Sequence, residues 1–324
     1  MLRGDAVVFG VAREDTRGTF KTPEFWIPTR SPAGLQPQLE KELIEETRHT
    51  AIQSRGSEAV QKRGEGDVEF NIRNKTFPIL TENLLGEMTT TAQGDGTFEH
   101  IIEVKLDGPQ NPTLSGAISQ PSQQDYGFPG LQLTNMEITV QTDDLVHATI
   151  DAQSRDVSEQ SDFTVSFAND DYHFRHQDVK LEIADSVNGS FTEIPTISTS
   201  LTVSNNGEPR QDIGNLNPKD IVAGLFDING NFDTDQVDST FRDHYFNQEN
   251  KALRLTMTRS DVTIGTGTEN PTIEITLPNI TFEDYEPDRS RDEVVTNSMD
   301  FTAHYDDSEA KAIKMRIINE EDYS

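Results

Sequence analysis

The sequence predicts a mainly β fold made of two tandem β-sandwich or barrel modules, each with one short α-helix. Three observations carry this. Short runs that alternate apolar and polar residues recur at regular spacing, the mark of half-buried strands. Helical periodicity is confined to two brief stretches. One strand-plus-helix unit occurs twice, each time followed by similar strands.

The clearer copy of that unit is Gly66–Gly86. Val68, Phe70 and Ile72 alternate along a strand. Pro78 then suits the first turn of a helix, where its missing N–H has no partner in any case. Phe77, Ile79, Leu80, Leu84 and Leu85 give that helix, 78–85, an apolar face, and Gly86 sits where it should stop. The second copy opens on the alternating run Thr196–Ser204. Asn217 follows as N-cap and Pro218 as first residue of a helix over 218–226, with Ile221, Val222, Leu225 and Phe226 as its apolar residues. Pro78 and Pro218 lie 140 residues apart, and Ile138 and Ile280 lie 142 apart. The strands after each unit, His100–Leu106 and Leu131–Val140, have counterparts in Lys251–Arg259 and Thr272–Phe282.

Taken in order, residues 1–25 read as an N-terminal arm with a loose connection. A first module spans 26–155 and opens on the only tryptophan, Trp26, a core or interface anchor. Residues 31–66 hold four glycines, two prolines and charges of both signs, with only Leu39, Leu43 and Ile44 as a weak apolar stripe; they read as a long polar loop. Residues 152–162 read as a linker. A second module spans 163–318, with Phe163–Ala168, Tyr172–Arg175 and Val179–Ile183 strand-like. Residues 319–324, acidic and terminal, are expected to fray.

Charge narrows the function. Fifty-seven acidic residues face 27 basic ones, a net −30 dispersed over both halves. That excess strains a compact fold in dilute buffer. In molar salt, where the Debye length is about 3 Å, the strain largely disappears. A halophilic source fits, as does the low apolar content of 33%, because excluded salts strengthen apolar burial. Grip on nucleic acid by phosphate neutralisation requires a basic face and is disfavoured. There is no cysteine, which removes disulfides, thiolate chemistry and cysteine metal sites. No apolar run is long enough for a transmembrane helix, and no signal peptide is read at the N-terminus.

Catalytic motifs are not found. There is no G-x-S-x-G elbow and no phosphate-binding glycine loop. His173 and His176 would face opposite sides of a strand. The stretch Asp227–Asp235 resembles a calcium loop through Asp227, Asn229, Asp233 and Asp235. Its glycine is misplaced and the closing glutamate is absent, so an acidic turn is the better reading. The expectation is a protein that is not an enzyme and has no cofactor.

The order of these elements resembles the major tail (tail tube) proteins of viruses with long non-contractile tails. The resembling parts are the N-terminal arm and Thr22–Ile27, the long polar loop, the strand–helix unit ending Leu84-Leu85-Gly86, Phe98–Ser115, Gly130–Val140 with Ala148–Asp151, and Leu277–Asp306. The resemblance implies a virion protein, made in the host cytoplasm, whose sheets join into rings. It also implies that rings stack through the loop, here Glu42, Glu45, Glu46, Arg48, Arg55, Lys62 and Arg63, and that double-stranded DNA passes the bore. Implied partners are other copies of the chain, a tape-measure protein, a tail terminator and baseplate or distal tail proteins; no membrane is involved. Two modules per chain would make three chains a pseudo-sixfold ring. Competing readings are a surface or adhesion module binding glycan or calcium, and another tail component such as a terminator or distal tail protein.

Overall fold

The computed structural model describes residues 7–47, 54–106, 111–121, 123–236, 238–288 and 294–324. The strands are β1 (Val8–Arg13), β2 (Phe25–Ile27), β3 (Gln36–Glu45), β4 (Ser54–Asn71), β5 (Gly86–Ala92), β6 (Phe98–Val104), β7 (Leu114–Ser119), β8 (Asp125–Gln141), β9 (His147–Ser154) and β10 (Ser158–Gln160) in the first half. The second half holds β11 (Val179–Ala184), β12 (Thr192–Ile194), β13 (Thr196–Ser204), β14 (Glu208–Arg210), β15 (Asp220–Val222), β16 (Asp227–Asp235), β17 (Lys251–Thr258), β18 (Thr272–Asp288), β19 (Thr296–Ala303) and β20 (Lys314–Asn319). Helix α1 is Phe77–Leu85 and α2 is Thr240–Phe246.

The fold is mainly β, as the alternation predicts. Seven strands form one antiparallel run in the order β4, β9, β8, β13, β16, β19, β18. The two longest members bend out of it. The first part of β8 pairs with β7 and β10, and β7 pairs with β1, which pairs with β2. The first part of β18 pairs with β17 and β20, continuing to β11 and β12 on one side and to β6 and β5 on the other. The apolar faces of the seven-strand run and of most strands that branch from it meet in one buried cluster that includes Phe9, Val68, Phe70, Phe128, Met136, Phe232, Met299 and Phe301. Helix α1 is buried within it: Phe77, Ile79, Leu80, Leu84 and Leu85 are all at most 1% exposed. Gly86 ends α1 with φ +107°, a left-handed conformation that a side chain would resist.

The pairing registers of the two halves repeat. The β8–β9 ladder slips by one residue between Leu133 and Asn135, and the β18–β19 ladder slips between Phe282 and Asp284, 149 positions on. Each hairpin closes on an equivalent pair, Thr139 with His147 and Asp288 with Thr296, again 149 apart. On the far side Asn71 pairs with His147 and Asp235 with Thr296, so β16 follows β4 by 164. Gly66 and Gly230 share that spacing and one function. A Cβ on Gly66 would meet the carbonyl oxygen of Gly34 at 2.2 Å, and one on Gly230 would meet that of Ser200 at 2.3 Å.

Several expectations are corrected. The Pro78/Pro218 match is not the structural one: 218–226 is no helix. Pro209, Ile221 and their neighbours pair as the β14–β15 hairpin, and the second helix comes later, as α2. An N-cap and a proline favour a helix locally, but β-branched Ile221 and Val222 suit a strand, and burial of Ile221 to 1% decides the matter. Leu225 is 85% exposed, and Phe226 is half-buried against the core. Residues 31–66 are not a structureless loop. They contain β3 and most of β4, paired antiparallel from Gln36–Glu65 out to Glu45–Ser54. Because every residue of β3 is exposed, no apolar alternation betrays the strand. The N-terminal arm holds β1, whose residues Phe9–Ala12 are buried. The supposed linker contains the end of β9 and β10. Phe163–Ala168 forms no strand, and Tyr172–Arg175 makes only isolated bridges. The C-terminus does not fray: Asn319 and Tyr323 are buried, the Asn319 amide donates to the Asn74 carbonyl at 2.8 Å, and the Tyr323 hydroxyl donates to the Lys75 carbonyl.

Candidate assembly surfaces

The side of the seven-strand run that faces away from the core is polar from end to end. Cross-strand pairing lines its residues up in rows. One row reads Glu69, Thr149, Glu137, Thr202, Asn229, Thr302; a second reads Asn71, His147, Thr139, Ser200, Asn231, Asp300, Asp284. A third runs from Ser198 through Asp233 and Ser298 to Glu286. Carboxylates, amides, hydroxyls and the His147 imidazole fill these rows without one lysine or arginine. Arg30 reaches the margin, pairing with Asp144 at 3.0 Å and Glu69 at 3.3 Å.

Asp227, Asn229, Asp233 and Asp235 belong to this face. They stand at alternate positions of β16, not in a turn. Neighbours two apart on a strand are about 6.5–7 Å from each other, whereas Ca²⁺ needs oxygens converging at about 2.3–2.6 Å. Asp233 instead accepts the Ser198 hydroxyl at 2.5 Å, and Asp227 accepts the Asn206 amide at 2.7 Å. Among the described residues, no three His, Asp or Glu are grouped to hold a metal. His173 and His176 also stay apart in role: His176 lies in a short 3₁₀ turn, and burial holds His173 below the usual histidine range.

The β3–β4 ribbon projects from the run. Glu42, Glu45, Glu46 and Arg55 are exposed along it, while Arg48 lies outside the described residues. Lys62 and Arg63 belong to its root. The Lys62 ammonium donates to the Val157 carbonyl at 3.2 Å, and its backbone N–H to the Leu216 carbonyl at 3.0 Å. Arg63 binds Glu65 at 2.8 Å and donates to Gln61. The ribbon also exposes apolar side chains, Leu39 at 48% and Leu43 at 58%.

Two backbone edges remain open at the ends of the run. Residues 284–287 of β18 have β19 as their one paired strand, and residues 34–38 lie against β4 alone, among the described residues. Sequence reasoning missed these edges, because edge and interior strands alternate alike. The duplication itself was the available pointer, although its structural offsets are 149 and 164 and not the 140 and 142 read from the sequence.

Fold and surface together define a class: a β-protein with open strand edges and a projecting ribbon among its described residues. A family model described as phage tail tube protein matches residues 4–303, and the chain belongs to that family. It is therefore a structural protein of the virion tail. No curated protein gives a match. No helix among the described residues is long and apolar enough to cross a membrane.

Proposed function

We propose that this chain is the repeating subunit of a tail tube built from two modules per chain, with three chains closing a pseudo-sixfold ring. The observation that carries the reading is the β8–β13 seam. It joins two halves whose hairpin registers repeat at 149 and 164, so one chain already contains a module-to-module junction. Sheets that continue from module to module lose their exposed edges only on closure. Heterologous contacts that close generate rings.

The polar face of the seven-strand run lines the bore in this reading. Duplex DNA carries one charge per about 1.7 Å; a wall of carboxylates and hydroxyls lets it slide where lysines would hold it. The β3–β4 ribbon reaches the neighbouring ring and covers Leu39 and Leu43 there. The tape-measure protein occupies the bore before DNA, and the terminator and baseplate or distal tail proteins cap the stack. The net charge of −30 suits a virus of a salt-loving host, with a long flexible tail.

Electron microscopy of the purified chain in molar salt tests this. Rings or tubes with a hollow core are expected. A protein that stays monomeric at every salt concentration overturns it.

A further inference from the structure

The intrachain seam also specifies how one chain meets the next. In β8, residues 135–139 have a neighbour on each side, β9 and β13. Their counterparts 149 positions on begin at Asp284, and there, among the described residues, β19 is the one strand paired with β18. In β13, residues 198–204 lie between β16 and β8. Their counterparts lie 166 positions earlier, since Gly34 meets Gly66 as Ser200 meets Gly230, and Gln36 pairs with Glu65 as Thr202 pairs with Asn229. Among the described residues that segment pairs with β4 alone. The molecule thus holds one completed seam and the two separate halves of another.

We infer that β18 of one copy pairs antiparallel with residues 34–38 of a second copy, in the register of the β8–β13 seam: Gln38 opposite Asp284, Pro37 opposite Tyr285, Gln36 opposite Glu286, Leu35 opposite Pro287. This rests on the tube-subunit reading and supplies its contact residue by residue. The template pairs are Ser204 with Asn135, Val203 with Met136, Thr202 with Glu137 and Leu201 with Ile138.

The side chains fit both faces. On the core side the template buries Val203, Met136, Leu201 and Ile138. Tyr285 and Pro287 are half-buried in the single chain and Pro37 is exposed, so a second copy covers apolar surface left open. On the polar side two carboxylates, Asp284 and Glu286, face the neutral amides Gln38 and Gln36. No like charges stand directly opposite, an arrangement that is otherwise destabilising.

The backbone fits with a difference. Gly34 donates its N–H to Asp67 of β4, so by alternation Leu35 and Pro37 present their backbone groups to the open side. Leu35 donates to the Pro287 carbonyl, and Tyr285 donates to the Pro37 carbonyl. The two prolines cannot return these bonds, and each pair keeps one bond of two. Proline on an edge is also what keeps a free strand from pairing indiscriminately. The seam between chains is accordingly weaker than the seam within one.

The chain has no cysteine, so engineered pairs report without background. Directly opposite residues of such a pair have Cα atoms about 4.5–5.5 Å apart, inside the range a disulfide accepts. The experiment is to assemble Q38C/D284C in molar salt, oxidise it, and run it denatured without reductant. The expected result is near-complete loss of the monomer band into a ladder that stops at a closed ring. Q36C/D284C, displaced by one two-residue step, should stay monomeric, and S204C/N135C should form its disulfide within one chain. All the changed residues are exposed or half-buried and on polar faces, and circular dichroism checks their folding. Tubes that form while Q38C/D284C stays monomeric, or while Q36C/D284C links as readily, overturn the register and leave the tube reading standing. An unmodified chain that makes no rings removes the tube reading and this inference with it.

Discussion

The two halves of the chain build the same hairpin and finish it in opposite ways. In the first half β3 and β4 run on beyond Lys41 and Ala59 as a two-stranded ribbon of exposed residues. In the second half the chain leaves β13 at Ser204, folds into the β14–β15 hairpin, and re-enters at Asp227. There Asn205 is buried and its amide donates to the carbonyls of Leu133, at 2.8 Å, and Leu84, at 3.3 Å. Ile221 is buried, and Asp220 pairs with Arg17 at 2.8 Å. One insertion is locked down onto the body while the other is left standing. A lone two-stranded ribbon is marginally stable in water, so the free ribbon has no means of its own to become rigid. The difference points to a division of labour, with one insertion holding the two halves together and the other reserved for a neighbour.

The sharpest way to break that comparison is to remove the ribbon. Residues 41–59 begin and end on the paired Lys41 and Ala59, above the root contacts of Gln61 and Lys62. Replacing them with an Asn-Gly turn should leave the melting temperature of the subunit almost unchanged, because every removed β3 residue is exposed and none belongs to the core. Tube formation should be abolished, as followed by electron microscopy and sedimentation. If the truncated chain unfolds, the ribbon is part of the body and the division of labour is wrong.

The complementary test strikes the locked insertion. Ile221→Ala removes a side chain that is 1% exposed, while Leu225→Ala, four residues on, removes one that is 85% exposed. Large-to-small changes in a core cost about 2–5 kcal/mol. The first variant should lose stability in that range in urea unfolding, and the second less than about 0.5 kcal/mol. Equal costs would show that 205–226 does not dock through Ile221.

These contrasts also mark what was legible in the sequence. Val68, Phe70 and Ile72 announce their strand and Pro78 to Gly86 their helix, because one face of each is buried and the alternation records it. Gln36–Glu45 announces nothing, because neither face meets a core. Asn217-Pro218 misleads because capping signals are local, whereas Ile221 answers to Pro209 across a hairpin. The polar rows of the seven-strand run were invisible for another reason. Asp233 and Glu286 meet in one row only through strand pairings that no single stretch encodes.

The smallest effect concerns the other segment misread as loose, the C-terminus. Lys75 pairs with Asp170 at 2.6 Å and with Glu321 at 3.1 Å, and its backbone N–H donates to the Asp171 carboxylate at 2.9 Å. Asp171 is 7% exposed, and burial pushes its carboxyl up to about 6 against an ordinary 3.8, even with Lys75 and Arg73 nearby. A raised carboxyl is the form of this shift that lowers stability as pH rises. Below about 4 the group is protonated in both the folded and the unfolded chain. Between about 4 and 6 the unfolded chain gives up its proton first, and above about 6 the folded chain carries a buried charge. At about 1.4 kcal/mol per pKa unit the full cost approaches 3 kcal/mol. Asp171→Asn keeps an oxygen to accept the Lys75 N–H and cannot ionise. It should stabilise the chain by about 1–3 kcal/mol at pH 8 and by nothing at pH 4, with the gain appearing across pH 4–6 in thermal unfolding. A pH-independent difference would mean that Asp171 is not the buried acid, and the docked C-terminus would then have to draw its pH response from another group of that cluster.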